Sequence, residues 1–396
     1  MLLRLSVLRR AARASVIATI AALALAACSS IDVPTIDEAL PPVAGEVLGT
    51  GTIKVAMLLP LSATGNAAQV GKDMRNAADL ALREFPNSNL QILIKDDRGT
   101  PDGARPAATA AIGEGAKLIL GPVFAQSVVA AASVAKPAAV PVIAFSTDST
   151  TASKGVYLMS FLPQSDVDRI ITYAASQGRQ SFAVLLPANS YGTVVEATLQ
   201  RVIGNTGGRI IVIERYNLDR ASMQEKATAV AAIVKQGTVN AVFIPDGGDA
   251  APFLSQILAA NGVSPAAIKY LGSGQWNDPR VLAESNLAGG WFPGPDPIGF
   301  KAFAARFKAA YGNEPVRSAS LAYDAVSLAI GVSTRFGAEG FTDKVLTNPS
   351  GFIGVDGAFR FTATGTSQRA LAVYQIEHGQ LAVISPPPTT FSQAGF

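Results

Sequence analysis

Four places in this chain carry residue types spaced as chemistry would need them. Ser133 and Lys136 in "SVAK" have the spacing of a serine nucleophile and its lysine, but the KTG element that completes such a site is absent. "GNAAQVGKD" (65–73) is built like a phosphate-binding loop. Five residues separate its glycines, where that loop has four, and Asp73 stands where a serine or threonine would hold magnesium. The only histidine, His378, falls in "EHGQ" between two apolar runs and reads as a solvated hairpin turn. The only cysteine, Cys28, excludes an intrachain disulfide, a cysteine metal cluster and a CxxC redox pair. With no HExxH set and no GxSxG elbow either, the chain reads as a non-enzyme with no metal and no cofactor.

Cys28 takes its meaning from what precedes it. The first 27 residues hold four arginines and no acid, and residues 14–27 are small or apolar except Ser15 and Thr19. A basic start, a short apolar core and small residues before the cut describe a secretory signal, expected over 1–27. Its 14-residue apolar run falls short of the roughly 20 that a spanning helix needs. "LAAC" resembles the lipobox of bacterial lipoproteins, which implies that Cys28 becomes the acylated first residue. Ser29 after it, in place of Asp, implies sorting to the outer rather than the inner membrane of a Gram-negative cell.

Removing the signal changes the charge. The whole chain has 32 basic and 29 acidic residues, net +3; without the four signal arginines, 28 bases face 29 acids. The basicity belongs to the signal, so no nucleic-acid partner is expected. Residues 28–51, rich in proline and glycine after Ile31, read as a tether between a lipid surface and a folded body.

The rest must fold in more than one lobe, since 344 residues from Ile53 onward exceed one comfortable core. "IKVAMLL" (53–59), "LQILIK" (90–95), "KLILG" (117–121) and "VPVIAF" (140–145) are short apolar runs alternating with helical stretches. That alternation predicts βαβ units and a parallel sheet. It restarts with "FAVLLP" (182–187), "RIIVIERY" (209–216), "AVFIP" (241–245) and "IKYLG" (268–272). Leu58–Leu59–Pro60 and Leu185–Leu186–Pro187 mark equivalent strand ends 127 residues apart. Two α/β lobes of doubly wound parallel sheet follow. Lobe 1 is expected over 52–163 and lobe 2 over 164–292. Residues 293–345 return to lobe 1, strands within 346–385 complete lobe 2 and a multi-strand hinge, and 386–396 form a tail.

In open α/β sheets a ligand sits beyond the carboxyl ends of the strands, against helix N-termini that favour anions. Three loops of lobe 1 reach that edge: "PLSATG", "GPVFAQS" and "FSTDST". They offer Ser62, Thr64, Gln126, Ser127, Ser146, Thr147 and Ser149. Lobe 2 offers Tyr191 in "NSYG", Asp246 in "IPDGG", and Gln275 and Trp276 in "GSGQW".

The chain resembles the type I periplasmic-binding fold in its leucine/isoleucine/valine-binding branch. The resemblance is carried by "KVAMLLPLSATG", "KDDRGTPDGARPAA", "LILGPVFAQS", "FLPQSDVDR", "VLLPANSYG", "AYDAVSLA" and "SGFIGVDGAFRF", in that order. It implies a small amino-acid-like or carboxylate ligand held between two lobes for an ABC importer. Tyr191 would close over that ligand, and Thr147 and Ser149 would hold it. Penicillin-binding-protein activator lipoproteins share these landmarks and imply another partner, a peptidoglycan synthase. The clamp departs from the family at three points: Ala125 replaces a serine, Val70 an aromatic, and uncharged Gly274 or Gln275 the acid that meets the ammonium. A desolvated ammonium without a counter-charge costs several kcal/mol, so tight binding of a free amino acid is not expected.

Overall fold

The computed structural model describes residues 45–391. Cys28, the signal over 1–27 and most of the expected tether lie outside the described residues, as does 392–396. The first half alternates β1 (Val47–Leu48), β2 (Ile53–Leu59), α1 (Asn66–Glu84), β3 (Leu90–Asp96), α2 (Pro101–Gly113), β4 (Ile119–Leu120), α3 (Ala125–Ala135), β5 (Val142–Ala144) and β6 (Val156–Leu158). These strands form one sheet in the order β1-β3-β2-β4-β5-β6, parallel except at β1.

A second series follows: α4 (Pro163–Ser176), β7 (Ser181–Pro187), α5 (Ser190–Thr206), β8 (Arg209–Tyr216), α6 (Arg220–Val234), β9 (Ala241–Phe243), α7 (Ala250–Ala260), β10 (Lys269–Leu271), the short α8 (Pro279–Leu282) and β11 (Trp291–Gly294). The chain ends with α9 (Pro297–Tyr311), α10 (Ala319–Phe336), the short α11 (Asp343–Leu346), β12 (Phe352–Gly354), β13 (Gly357–Phe361), β14 (Ser367–Arg369), β15 (Ala372–Glu377) and β16 (Gln380–Ser385). The second sheet runs β16-β15-β11-β10-β9-β7-β8, with β15 and β16 antiparallel. Strands β12, β13 and β14 make a small antiparallel sheet of their own.

Each large sheet is covered on both faces, which is why its central strands read as continuous apolar runs. In lobe 1, Val55, Met57 and Leu59 of β2 pack with α1, α9 and α10, while Ala56 and Leu58 pack with α2 and α3. In lobe 2, Ala183 and Leu185 of β7 face α6 and α7, while Phe182, Val184 and Leu186 face α4 and α5. Burying one such side chain contributes about 1.5–3 kcal/mol.

The chain passes between lobes three times, after β6, after β11 and after β14. The crossings are tied together: Ser160 O accepts from Arg369 Nε at 3.1 Å and Ser367 Oγ at 3.3 Å. Two guanidinium carbons, of Arg317 and Arg369, each stand 4.6 Å from the ring centroid of Phe161 in the first crossing.

Several local readings change in three dimensions. β1 draws residues expected in the tether into the sheet, where they satisfy the outer edge of β3 and bury Leu48. "GNAAQVGKD" is the start of α1. Asp73 in it is buried, accepting from Val316 N at 2.9 Å, Gln69 Nε2 at 2.8 Å and Asn313 Nδ2 at 3.3 Å. It ties α1 to the loop before α10 and holds no phosphate loop. Ser133 Oγ donates to Ala130 O, and Lys136 Nζ reaches Ser153 Oγ rather than Ser133. His378 is exposed, with φ 50°, in the turn between β15 and β16.

Candidate functional site

The strand orders fix where a cleft belongs. In lobe 1 the winding reverses between β2 and β4, and in lobe 2 between β7 and β9. A crevice opens at such a reversal, beyond the carboxyl ends of the strands. The loops leaving β2, β4 and β5 stand side by side at that edge of lobe 1, so the structure groups the seven lobe-1 candidates there.

Those seven differ in availability. Ser62, Thr64, Gln126 and Thr147 are exposed and Ser149 is half-buried in a short turn. Ser62 N donates to Asp96 Oδ1 at 3.2 Å, which shapes its loop. Ser146 is buried, its Oγ accepting from Asp148 N at 3.1 Å. Ser127 is fully buried and its Oγ has no hydrogen-bond partner. It lies behind the loop surface.

The two helices flanking this reversal begin without side-chain caps. α1 starts after Gly65 and α3 after Phe124, and neither has an acid in its first turn. Of the other long helices, α2 is capped by Thr100, α5 by Asn189 and α6 by Asp219, while α4, α7 and α10 also lack a side-chain cap bond. Uncapped first-turn N–H groups and the helix dipole leave a place for an anion at this end of lobe 1. Gly121 allows the approach of its loop: its φ is +86°, and a Cβ there would lie 2.2 Å from Leu58 O.

In lobe 2 the Tyr191 hydroxyl bridges the reversal. It donates toward Pro245 O at 3.1 Å and Ser273 Oγ at 3.2 Å, joining the loops after β7, β9 and β10. Burial holds its pKa well above the ordinary tyrosine range, so it stays a neutral donor. Asp246 is engaged by Tyr216 Oη at 2.9 Å and Gly247 N at 3.0 Å. Gln275 is exposed at the rim. Trp276 is fully buried; its indole N–H donates to Ile244 O at 2.9 Å and Asp246 O at 3.1 Å. Its ring fills the space over Gly272, where a Cβ would lie 2.1 Å from it. Trp276 therefore supports the rim from within the core.

Sequence reasoning missed Asp166. It stands in the first turn of α4, just past the crossing, and its Oδ2 accepts from Gly274 N at 2.9 Å. A carboxylate thus reaches "GSGQW", which carries none of its own. Burial pushes its pKa up to about 7, against the lowering by the Gly274 N–H. Nothing local distinguishes Asp166 from an ordinary first-turn acid; only the crossing brings it to Gly274.

The sequence profile described as periplasmic binding protein matches residues 52–380. No curated protein matches the chain. Among solved structures, one from Rhodospirillum rubrum, described as a branched-chain amino acid ABC transporter, is similar at TM-score 0.73 and 21% identity, over 84% of this chain and 99% of that one. A solute binding protein of an ABC transporter from Rhodopseudomonas palustris BisB5, in complex with 3,4-dihydroxy benzoic acid, is similar at TM-score 0.56 and 21% identity, over 85% and 96%. An ABC transporter substrate-binding protein from Desulfitobacterium hafniense, in complex with Leu, is similar at TM-score 0.60 and 16% identity, over 84% and 99%.

Proposed function

We propose, from the premise that this chain belongs to the periplasmic binding protein family, that it captures a small organic carboxylate between its lobes and delivers it to an ABC importer. The observation that carries the reading is the pair of uncapped helix starts, of α1 and α3, at the lobe-1 reversal. A carboxylate is the group such a place favours. Leucine and dihydroxybenzoate, bound in two of the similar structures, share that group. Ser62, Thr64, Gln126, Thr147 and Ser149 line the lobe-1 side. Tyr191 and Gln275 meet the ligand from lobe 2, beside Asp166. The protein is a binder and not an enzyme, and it works in the periplasm.

Asp166 alters what the second half of the ligand can be. Ionised, it supplies the counter-charge that "GSGQW" lacks and suits an ammonium; protonated, it is a hydrogen-bond donor and suits a plain carboxylate. A thermal-shift and calorimetric screen of leucine, benzoate and dihydroxybenzoate tests the reading. A ligand at a hundred times its Kd stabilises by about 2.7 kcal/mol. Saturable binding abolished by Tyr191→Ala is the expected result; no response to any small carboxylate overturns it.

We also read Cys28 as the acylated residue that anchors the protein to the outer membrane. Cys28→Ala then releases it from the membrane fraction with the fold intact. Palmitate labelling that survives the substitution overturns the anchor.

A further inference from the structure

The face of lobe 1 away from the cleft carries a groove of about 720 Å³ between α10, α11 and β12. The 19 residues of α1 separate it from the cleft: Asn66 begins at the cleft loop, and Phe85, just past the helix end, lines the groove. At 1.5 Å per residue that is about 28 Å. Its volume falls in the range of ligand pockets, roughly 300–1,000 Å³.

The lining is apolar where large side chains meet solvent. Ile353 is 75% exposed, Phe336 49% and Phe85 43%, with Leu328, Val332 and Phe352 between them. Such a cluster on a soluble face marks a binding surface. Its charged groups are of one sign. Arg335 and Lys344 line it, no aspartate or glutamate does, and neither cation has a carboxylate within ion-pair distance among the described residues. Ser327 Oγ, on its wall, is buried without a hydrogen-bond partner. The groove around His378 has the opposite character, with Glu284 and Glu377 in its lining.

We propose that the α10–α11–β12 groove is a second binding site, for a long-chain monocarboxylate of the fatty-acid class. The alkyl chain lies along Leu328, Val332 and Phe352, and the carboxylate meets Arg335 and Lys344. An apolar trough supplies affinity that grows with the apolar area it covers. The two cations select the head group, because a charge-assisted hydrogen bond is about twice as strong as a neutral one.

Gly331 provides the test. It lies in α10 on the groove lining, and a Cβ added there meets nothing within 4 Å, so a side chain at this position starts out into the groove. The probe is dodecanoate, below its micellar concentration, titrated calorimetrically into the chain carrying Cys28→Ala so that no attached acyl chain competes. Saturable binding is expected, weakened at least tenfold by Gly331→Trp and by the pair Arg335→Glu and Lys344→Glu, each with an unchanged melting curve. Dodecanol should bind at least tenfold more weakly. Small-carboxylate binding in the cleft should be untouched by Gly331→Trp. The proposal is overturned by absence of saturable dodecanoate binding, by undiminished binding to Gly331→Trp, or by equal affinity for dodecanol. Sedimentation with phosphatidylglycerol vesicles without dodecanoate binding also overturns it, and assigns the face to a bilayer.

Discussion

Gly274 N donates to Asp166 Oδ2 at 2.9 Å across 108 residues of sequence. The bond puts an acid from α4, the first helix of lobe 2, against the lobe-2 rim, next to Tyr191, whose own pKa feels the Asp166 charge. Its pKa of about 7 makes the site's charge depend on pH in the working range.

The first prediction follows from that charge. A plain carboxylate such as benzoate should bind more weakly as pH rises through about 7, because ionised Asp166 repels it. Asp166→Asn keeps an oxygen for Gly274 N and should flatten the dependence. Calorimetry between pH 6 and pH 8 checks it. Leucine should show the opposite slope, since ionised Asp166 attracts its ammonium.

Tyr191 and Trp276 separate affinity from stability. Trp276→Ala empties a fully buried site and should cost about 3–5 kcal/mol of stability. Tyr191→Phe removes one hydroxyl shared by Pro245 and Ser273 and should cost only about 0.5–1.5 kcal/mol of stability, while lowering ligand affinity several-fold. Urea unfolding beside ligand titration distinguishes the two. Equal effects on both quantities for both variants would refute the division.

Stability itself should respond to pH. Burial raises the pKa of Asp97 to about 6 and those of Asp166 and Asp324 to about 7, from a reference value of 3.8. Each raised group favours the folded state fully below its unfolded pKa, and loses that contribution as pH rises through its folded pKa. These three carboxyls should therefore make the melting temperature fall between about pH 4 and pH 7. Asp324→Asn should reduce the slope, with calorimetric melting at several pH values as the measurement.

Gly121 should tolerate no side chain. Its positive φ and the 2.2 Å approach of a Cβ to Leu58 O oppose alanine twice over. Gly121→Ala should lower the melting temperature and displace the loop before α3, weakening small-carboxylate binding. Wild-type stability with wild-type affinity would contradict the role given to that loop.

Local sequence determined the elements and their class. β2 and β8 run over the residues their apolar runs mark, Ile53–Leu59 and Arg209–Tyr216. β2 is legible because a strand buried on both faces must be apolar throughout, whereas β8, a half-buried edge strand, is marked by its β-branched residues. The candidate loops were legible too, since each follows the end of such a strand. Other features depended on distant partners. β4 is only Ile119–Leu120, shorter than its apolar run, because pairing with β2 and β5 sets its length. β1, β12 and β14 lack a pattern of their own and exist by pairing with β3 and β13. Trp276 and Gln275 are neighbours in sequence, yet one is core and the other rim, because the turn at Gly274 points them apart. Asp166 carries no local mark, and its place beside Gly274 is set only when the crossing strand and the lobe-2 sheet are both in position. Hydrophobic periodicity is a property of neighbouring residues and survives in one dimension; the meeting of a carboxylate with an N–H 108 residues away depends on the packed geometry alone.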